Sequence, residues 1–133
     1  MVDRRAGLAK WFSFSDAHNK PWDVYLTSRK LKVGRYNVVG ATCFTTRTVY
    51  VDANQTTEDN INETTLHELL HVSHQCAEEG RIGFLDEEKQ VKRISEPLYC
   101  ALMNAKLIMF PAKPAVPKAA TKKPLLIGEE ISK

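Results

Sequence analysis

Residues 22 to 26, Trp-Asp-Val-Tyr-Leu, place Trp22, Val24 and Leu26 on one side and mixed residues on the other. That is the period of a half-buried strand. Residues 37 to 44 read as a second strand, and Thr48-Val49-Tyr50-Val51-Asp52, rich in β-branched and aromatic residues, as a third. The short connection Thr45-Thr46-Arg47 suits a hairpin, and Gly40 marks a bulge or a close backbone approach. A small antiparallel sheet, or a mixed one, of three or more strands is the economical assembly. Ahead of it, Leu8, Trp11, Phe12 and Phe14 are expected to form a short packing helix. A turn-rich loop follows, in which His18 reads as a solvated side chain.

Downstream the period becomes helical. Leu66, Leu69, Leu70, Ser73, Cys76 and Ala77 form a broad arc at 100° per residue, and Ile61 and Val72 cover a further side. Asn60 and Glu63 have the spacing of a capping box, with Thr56 or Thr57 as alternative starts, and Gly80 supplies the stop. A second helix is expected from Asp86, with Glu87 and Glu88 in its first turn. Val91, Ile94, Leu98, Ala101, Leu102 and Ala105 form its inward stripe. Pro97 interrupts it, implying a kink or a restart capped by Ser95.

After Phe110 the chain turns to Pro, Ala and Lys. The expected division is a folded domain over 1–110 and an extended, disordered basic tail over 111–133. Leu125, Leu126 and Ile127 read as incidental to that tail rather than as a docking segment.

The first helix carries His67-Glu68-Leu69-Leu70-His71. Histidines four apart share a helix face, so His67 and His71 can hold one metal ion from adjacent turns. Glu68 points about 100° away, beside the metal, where a base acting on metal-bound water belongs. His74 continues the stripe but lies about 10.5 Å along the axis from His67, too far to share the same ion on a straight helix. The third ligand must come from elsewhere. Extending the inward stripe of the second helix backwards from Val91 lands on Glu87 at four residues and Glu88 at three. A carboxylate on the core side of a helix is costly unless paired or metal-bound, so one of the two is the candidate.

Composition narrows the class. The 133 residues suffice for one domain, and 43% hydrophobic with 26% charged residues is ordinary for a globular protein. Three cysteines, Cys43, Cys76 and Cys100, without a C-x-x-C, speak for free thiols in a reducing compartment and against a thiolate zinc site. No secretory leader and no membrane-length apolar run are visible, so the expected location is the cytoplasm, away from membranes. A net charge of +3 says little about partners. The cluster Arg29, Lys30, Lys32 and Arg35 reads as a solvated turn.

The run 48–52, the segment Thr64-Thr65-Leu66-His67-Glu68-Leu69-Leu70-His71, and Glu88 ahead of Val91-Lys92-Arg93-Ile94 together resemble the small phage and bacterial HExxH zinc metallopeptidase-like proteins. These are similar to a minimal gluzincin or ImmA/IrrE-type core, and the resemblance covers about residues 20 to 108. It implies a compact α+β fold, with a small sheet beside the motif helix and a second helix supplying a glutamate. It further implies one zinc ion on His67, His71 and Glu88, with Glu87 as the alternative third ligand. Glu68 would be the base for attack of zinc-bound water on a peptide bond. Tyr99 is a weak candidate for oxyanion stabilisation. The expected partner is a peptide or protein substrate, pairing with an open sheet edge. Two rival readings exist: a non-catalytic zinc-binding interaction module of the same fold, and nucleic-acid association through the basic tail.

Overall fold

The structure, a computed structural model, describes residues 2–3, 7–78 and 84–127. Strands come first: β1 (Val2–Asp3), β2 (Leu8–Ser15), β3 (Pro21–Thr27), β4 (Leu31–Val33), β5 (Tyr36–Val38), β6 (Gly40–Cys43) and β7 (Thr48–Asp52). Helices α1 (Glu58–Glu78) and α2 (Phe84–Asn104) follow, and β8 (Leu125–Leu126) comes last. The fold is α+β, with a five-stranded sheet ordered β1-β2-β3-β7-β6 and a three-stranded sheet ordered β5-β4-β8.

The large sheet is mixed. β3 and β7 pair in parallel, with Val24 opposite Val49 and Leu26 opposite Val51, while the other neighbours are antiparallel. A wholly antiparallel meander is therefore corrected to the mixed alternative, with β6 and β7 forming the expected hairpin. Residues 8–15 are a strand, not a helix. Ala9 and Trp11 are buried by alternation, and a register shift between Lys10 and Phe12 breaks the period that would have announced it.

One face of the large sheet packs on α1. Trp22, Val24, Leu26, Val49 and Val51 meet Ile61 and Val72 there. The α1 stripe facing inward runs Ile61, Thr65, Glu68, Val72, at steps of four, three and four, and all four are buried. Ser73 and Ala77, expected in the apolar arc, are not buried. Thr65 keeps its hydroxyl satisfied by donating to the Ile61 carbonyl at 2.8 Å. Thr57 caps the helix, its side-chain oxygen accepting from the Asn60 amide at 3.1 Å, so the start is the threonine alternative and not Asn60. The expected stop at Gly80 lies outside the described residues.

A second core lies between the two sheets, where Leu31 and Ile127 cover Ala41 and Cys43. The segment expected to be a disordered tail supplies part of this core. Residues 111–127 are extended but held: Trp11 Nε1 donates to the Pro111 carbonyl, and Ser28 Oγ to that of Pro117. Arg29 donates to the carbonyls of Lys123 and Pro124, and β8 pairs in parallel with β4. Ile127 is 6% exposed, so the segment contributes to the core and its apolar residues are not incidental. Residues 128–133 lie outside the described part.

Candidate metal centre

Helix α1 presents His67 and His71 side by side, their ring centroids 5.0 Å apart, and α2 closes on them from the other side. The buried stripe of α2 is Glu87, Val91, Ser95 and Tyr99, a run of fours. Ile94 is 45% exposed and Ala101 and Ala105 are exposed, so the expected stripe is rotated from the true one. The rotation gives the two glutamates different surroundings. Glu87 falls on the core stripe at 1% exposure, and Glu88 on its flank, half-buried and facing the histidines.

Glu88 bridges the two imidazoles. Its Oε1 lies 3.0 Å from His67 Nε2 and its Oε2 lies 2.8 Å from His71 Nε2. Glu87 sits behind His71, with Oε2 2.6 Å from Nδ1. An ion held at the two Nε2 atoms would therefore have Glu88 as its carboxylate ligand. Glu87 would instead accept the Nδ1 proton of His71, fixing the tautomer and the ring orientation. His67 Nδ1 faces Ser95 Oγ at 3.4 Å, so α2 approaches the backs of both ligand rings. His67, Glu68 and His71 also offer donor atoms within 4.8 Å of one another.

Glu68 is 6% exposed, and Thr42 Oγ1 donates to its Oε1 at 2.7 Å. Burial pushes the Glu68 carboxyl upward, against the lowering influence of His71 and of the Thr42 hydrogen bond. A shift in this direction favours uptake of a proton by the carboxylate. Gly40 makes the fit close: a Cβ there would lie 2.6 Å from Thr64 Cγ2 and 3.1 Å from Glu68 Oε2. The close-approach reading of this glycine is thus the one realised.

The charges around His71 are strongly coupled. Burial alone would depress its imidazolium, but hydrogen bonds to Glu88 and Glu87 and the charge of Glu68 outweigh it and raise the pKa to about 9. The hydrogen bonds from His67 and His71 hold Glu88 well below the usual carboxylate range. These partners favour the imidazolium form of His71. Two imidazoles and a carboxylate are a donor set able to hold a divalent cation.

Other candidates are placed elsewhere. His74 Nε2 pairs with Gln90 Oε1 at 2.7 Å, and its buried Nδ1 lies 3.6 Å from the Glu87 Oε1 atom, which accepts no hydrogen bond. His74 extends the chain behind His71 and does not join the ligand set. Tyr99 donates to Asp59 Oδ1 at 2.8 Å, tying α2 to the first turn of α1, and it is not among the residues lining the cleft. His18, expected to be merely solvated, has Nε2 3.2 Å from the Cys76 carbonyl near the C-terminal end of α1. Sequence reasoning misses Thr42, Ser95 and the backing role of Glu87. The one signal for Thr42 is a lone hydroxyl between Ala41 and Cys43.

The histidines and Glu68 open onto a cleft of about 1090 Å³ between the β4–β5 hairpin, β6 and the two helices. β6, which carries Gly40 and Thr42, is an edge strand of the large sheet, β1 being the other. No family model, curated protein or solved structure matches the chain. Among the described residues, no helix is long and apolar enough to cross a membrane.

Proposed function

We propose that the protein is a metallopeptidase-like hydrolase, with one zinc ion held by His67, His71 and Glu88 and with Glu68 as its base. The observation that carries this reading is the Glu88 carboxylate lying within 3.0 Å of both Nε2 atoms, while Glu68 is buried beside them on the same helix. A structural site has no use for a further buried carboxyl there, hydrogen-bonded to Thr42 and pushed upward by burial. Zinc bound to such a set supplies a coordinated water of pKa near 7 and polarises a carbonyl. The residues do the rest. Glu68 Oε2, the oxygen not engaged by Thr42, accepts the proton of the attacking water and returns it to the leaving amine. Glu87 and Ser95 keep the rings of His71 and His67 turned toward the ion. An extended peptide lying in the cleft beside Gly40 and Thr42 would bring its backbone carbonyl past Glu68.

Metal analysis combined with peptide cleavage tests the reading. Wild type should hold one zinc per chain and cleave peptides; Glu68→Gln should keep the zinc and lose about 10²-fold or more in rate. Glu88→Ala should lose both. A wild-type protein without stoichiometric zinc, or Glu68→Gln with undiminished cleavage, would sink the proposal.

A further inference from the structure

The three-stranded sheet has one apolar face, and that face runs out into the cleft. Leu31 pairs with Val38 and with Leu125, and Val33 pairs with Tyr36, so all five side chains share a side of the sheet. At its root this side is core: Leu31 is 1% exposed, and Val33, Val38 and Leu125 pack on the same cluster as Ala41 and Cys43. At its tip it is exposed. Tyr36 is 70% exposed, and Val39, in the link between β5 and β6, is 51% exposed.

Six large apolar side chains are exposed among the described residues, and Tyr36 and Val39 are the two that line the cleft. Val39 directly precedes Gly40, where a Cβ would meet the Glu68 carboxylate at contact distance. Tyr36 and Val39 therefore bring exposed apolar surface into the same cleft that Glu68 lines. The opposite wall is polar, with Asn60, Glu63, Lys92 and Glu96 from the two helices. Such an asymmetric cleft sorts a chain lying in it: one apolar side chain is desolvated on the hairpin wall, and polar groups remain hydrated on the helix wall.

Resting on the hydrolase reading, we infer that the substrates are polypeptide segments with a bulky apolar side chain next to the bond cut, and that Tyr36 and Val39 are the residues selecting it. The occupant follows from the site's surroundings. Gly40 and Thr42 of the edge strand β6 line the cleft, and the exposed Tyr36 and Val39 beside them would accommodate a side chain that an extended backbone lying there turns toward the hairpin.

The test uses zinc-loaded full-length protein and alanine-based peptides that differ at one position, carrying Phe, Leu, Ser or Glu. Cleavage is followed on wild type, and binding on Glu68→Gln by fluorescence anisotropy. Phe and Leu peptides should be favoured over Ser and Glu by about tenfold or more in both measurements. The double variant Tyr36→Ser, Val39→Ser should bring that ratio close to one at unchanged zinc content. Tyr36→Ser alone, at an exposed position, should lower it in part. Cleavage without side-chain preference would leave the hydrolase standing and overturn the inference. Preferential binding with no cleavage would overturn the hydrolase reading and the substrate inference with it, leaving Tyr36 and Val39 as a peptide-binding surface only. A double variant that keeps the wild-type ratio overturns the assignment of these two residues.

Discussion

At the scale of single residues, the consequential pair is His71 and Glu88. Their ion pair is worth most when His71 is protonated, and in the metal-free protein its pKa is raised to about 9 from an ordinary value of 6.5. A raised folded-state pKa contributes stability that is fully present below pH 6.5 and is lost as the pH climbs through 9. Each pH unit between those two values is worth about 1.4 kcal/mol, so the contribution is of order 3 kcal/mol. It is shared with the depression of Glu88 and not additional to it. Zinc reverses the sign, because it must displace the proton from His71 before binding Nε2. Thermal melts of chelator-treated protein should therefore fall between pH 6.5 and 9, while the rise in Tm on adding zinc grows over the same range. A flat profile for the chelated protein would show that His71 does not carry that proton. None of this coupling is legible in the sequence. His67, Glu68 and His71 follow from helical spacing, but the choice of Glu88 over Glu87 depends on the rotation of a different helix.

At the scale of elements, two short features fix the base. β6 approaches α1 so closely that position 40 has no room for a side chain, and Thr64, the residue in the way, is pinned by its own bond to Gln55. Gly40→Ala should displace Glu68 from Thr42 and lower kcat by about tenfold or more while zinc content stays near one per chain. Retention of full activity would mean that α1 yields without moving its base. The elements themselves are unevenly legible. β3 and β7 are plain because each alternates or is β-branched, and α1 because its helical period is sustained. β2 escapes pattern reading since a bulge after Lys10 puts Trp11 and Phe12 out of step. The α2 stripe is obscured because two of its four buried members, Glu87 and Ser95, are polar and serve the histidines. Pro97 also stands inside the helix without ending it. Polar residues at core positions are where pattern reading fails, and here they are the site.

At the scale of the molecule, the segment after α2 is what joins the two sheets. Composition points to disorder because Pro, Ala and Lys offer no packing period, yet most of its anchors are backbone carbonyls, which leave no trace in a sequence. Phe110 stacks on Trp11, and the chain then crosses to place β8 beside β4 and Ile127 in the second core. β4 and β5 are three-residue strands, too short to hold a fixed wall by themselves. β8 and Ile127 therefore support the hairpin that forms one side of the cleft, while the proposed zinc ligands stand on α1 and α2. Ile127→Ala should cost about 2 kcal/mol or more by leaving a cavity between the sheets. Its signature is local: amide hydrogen exchange over residues 31–38 should accelerate, and zinc content should stay unchanged. Termination after residue 124, which removes β8 as well, should accelerate exchange further and weaken peptide binding. Unchanged protection of 31–38 in both variants would show that the hairpin stands without the segment.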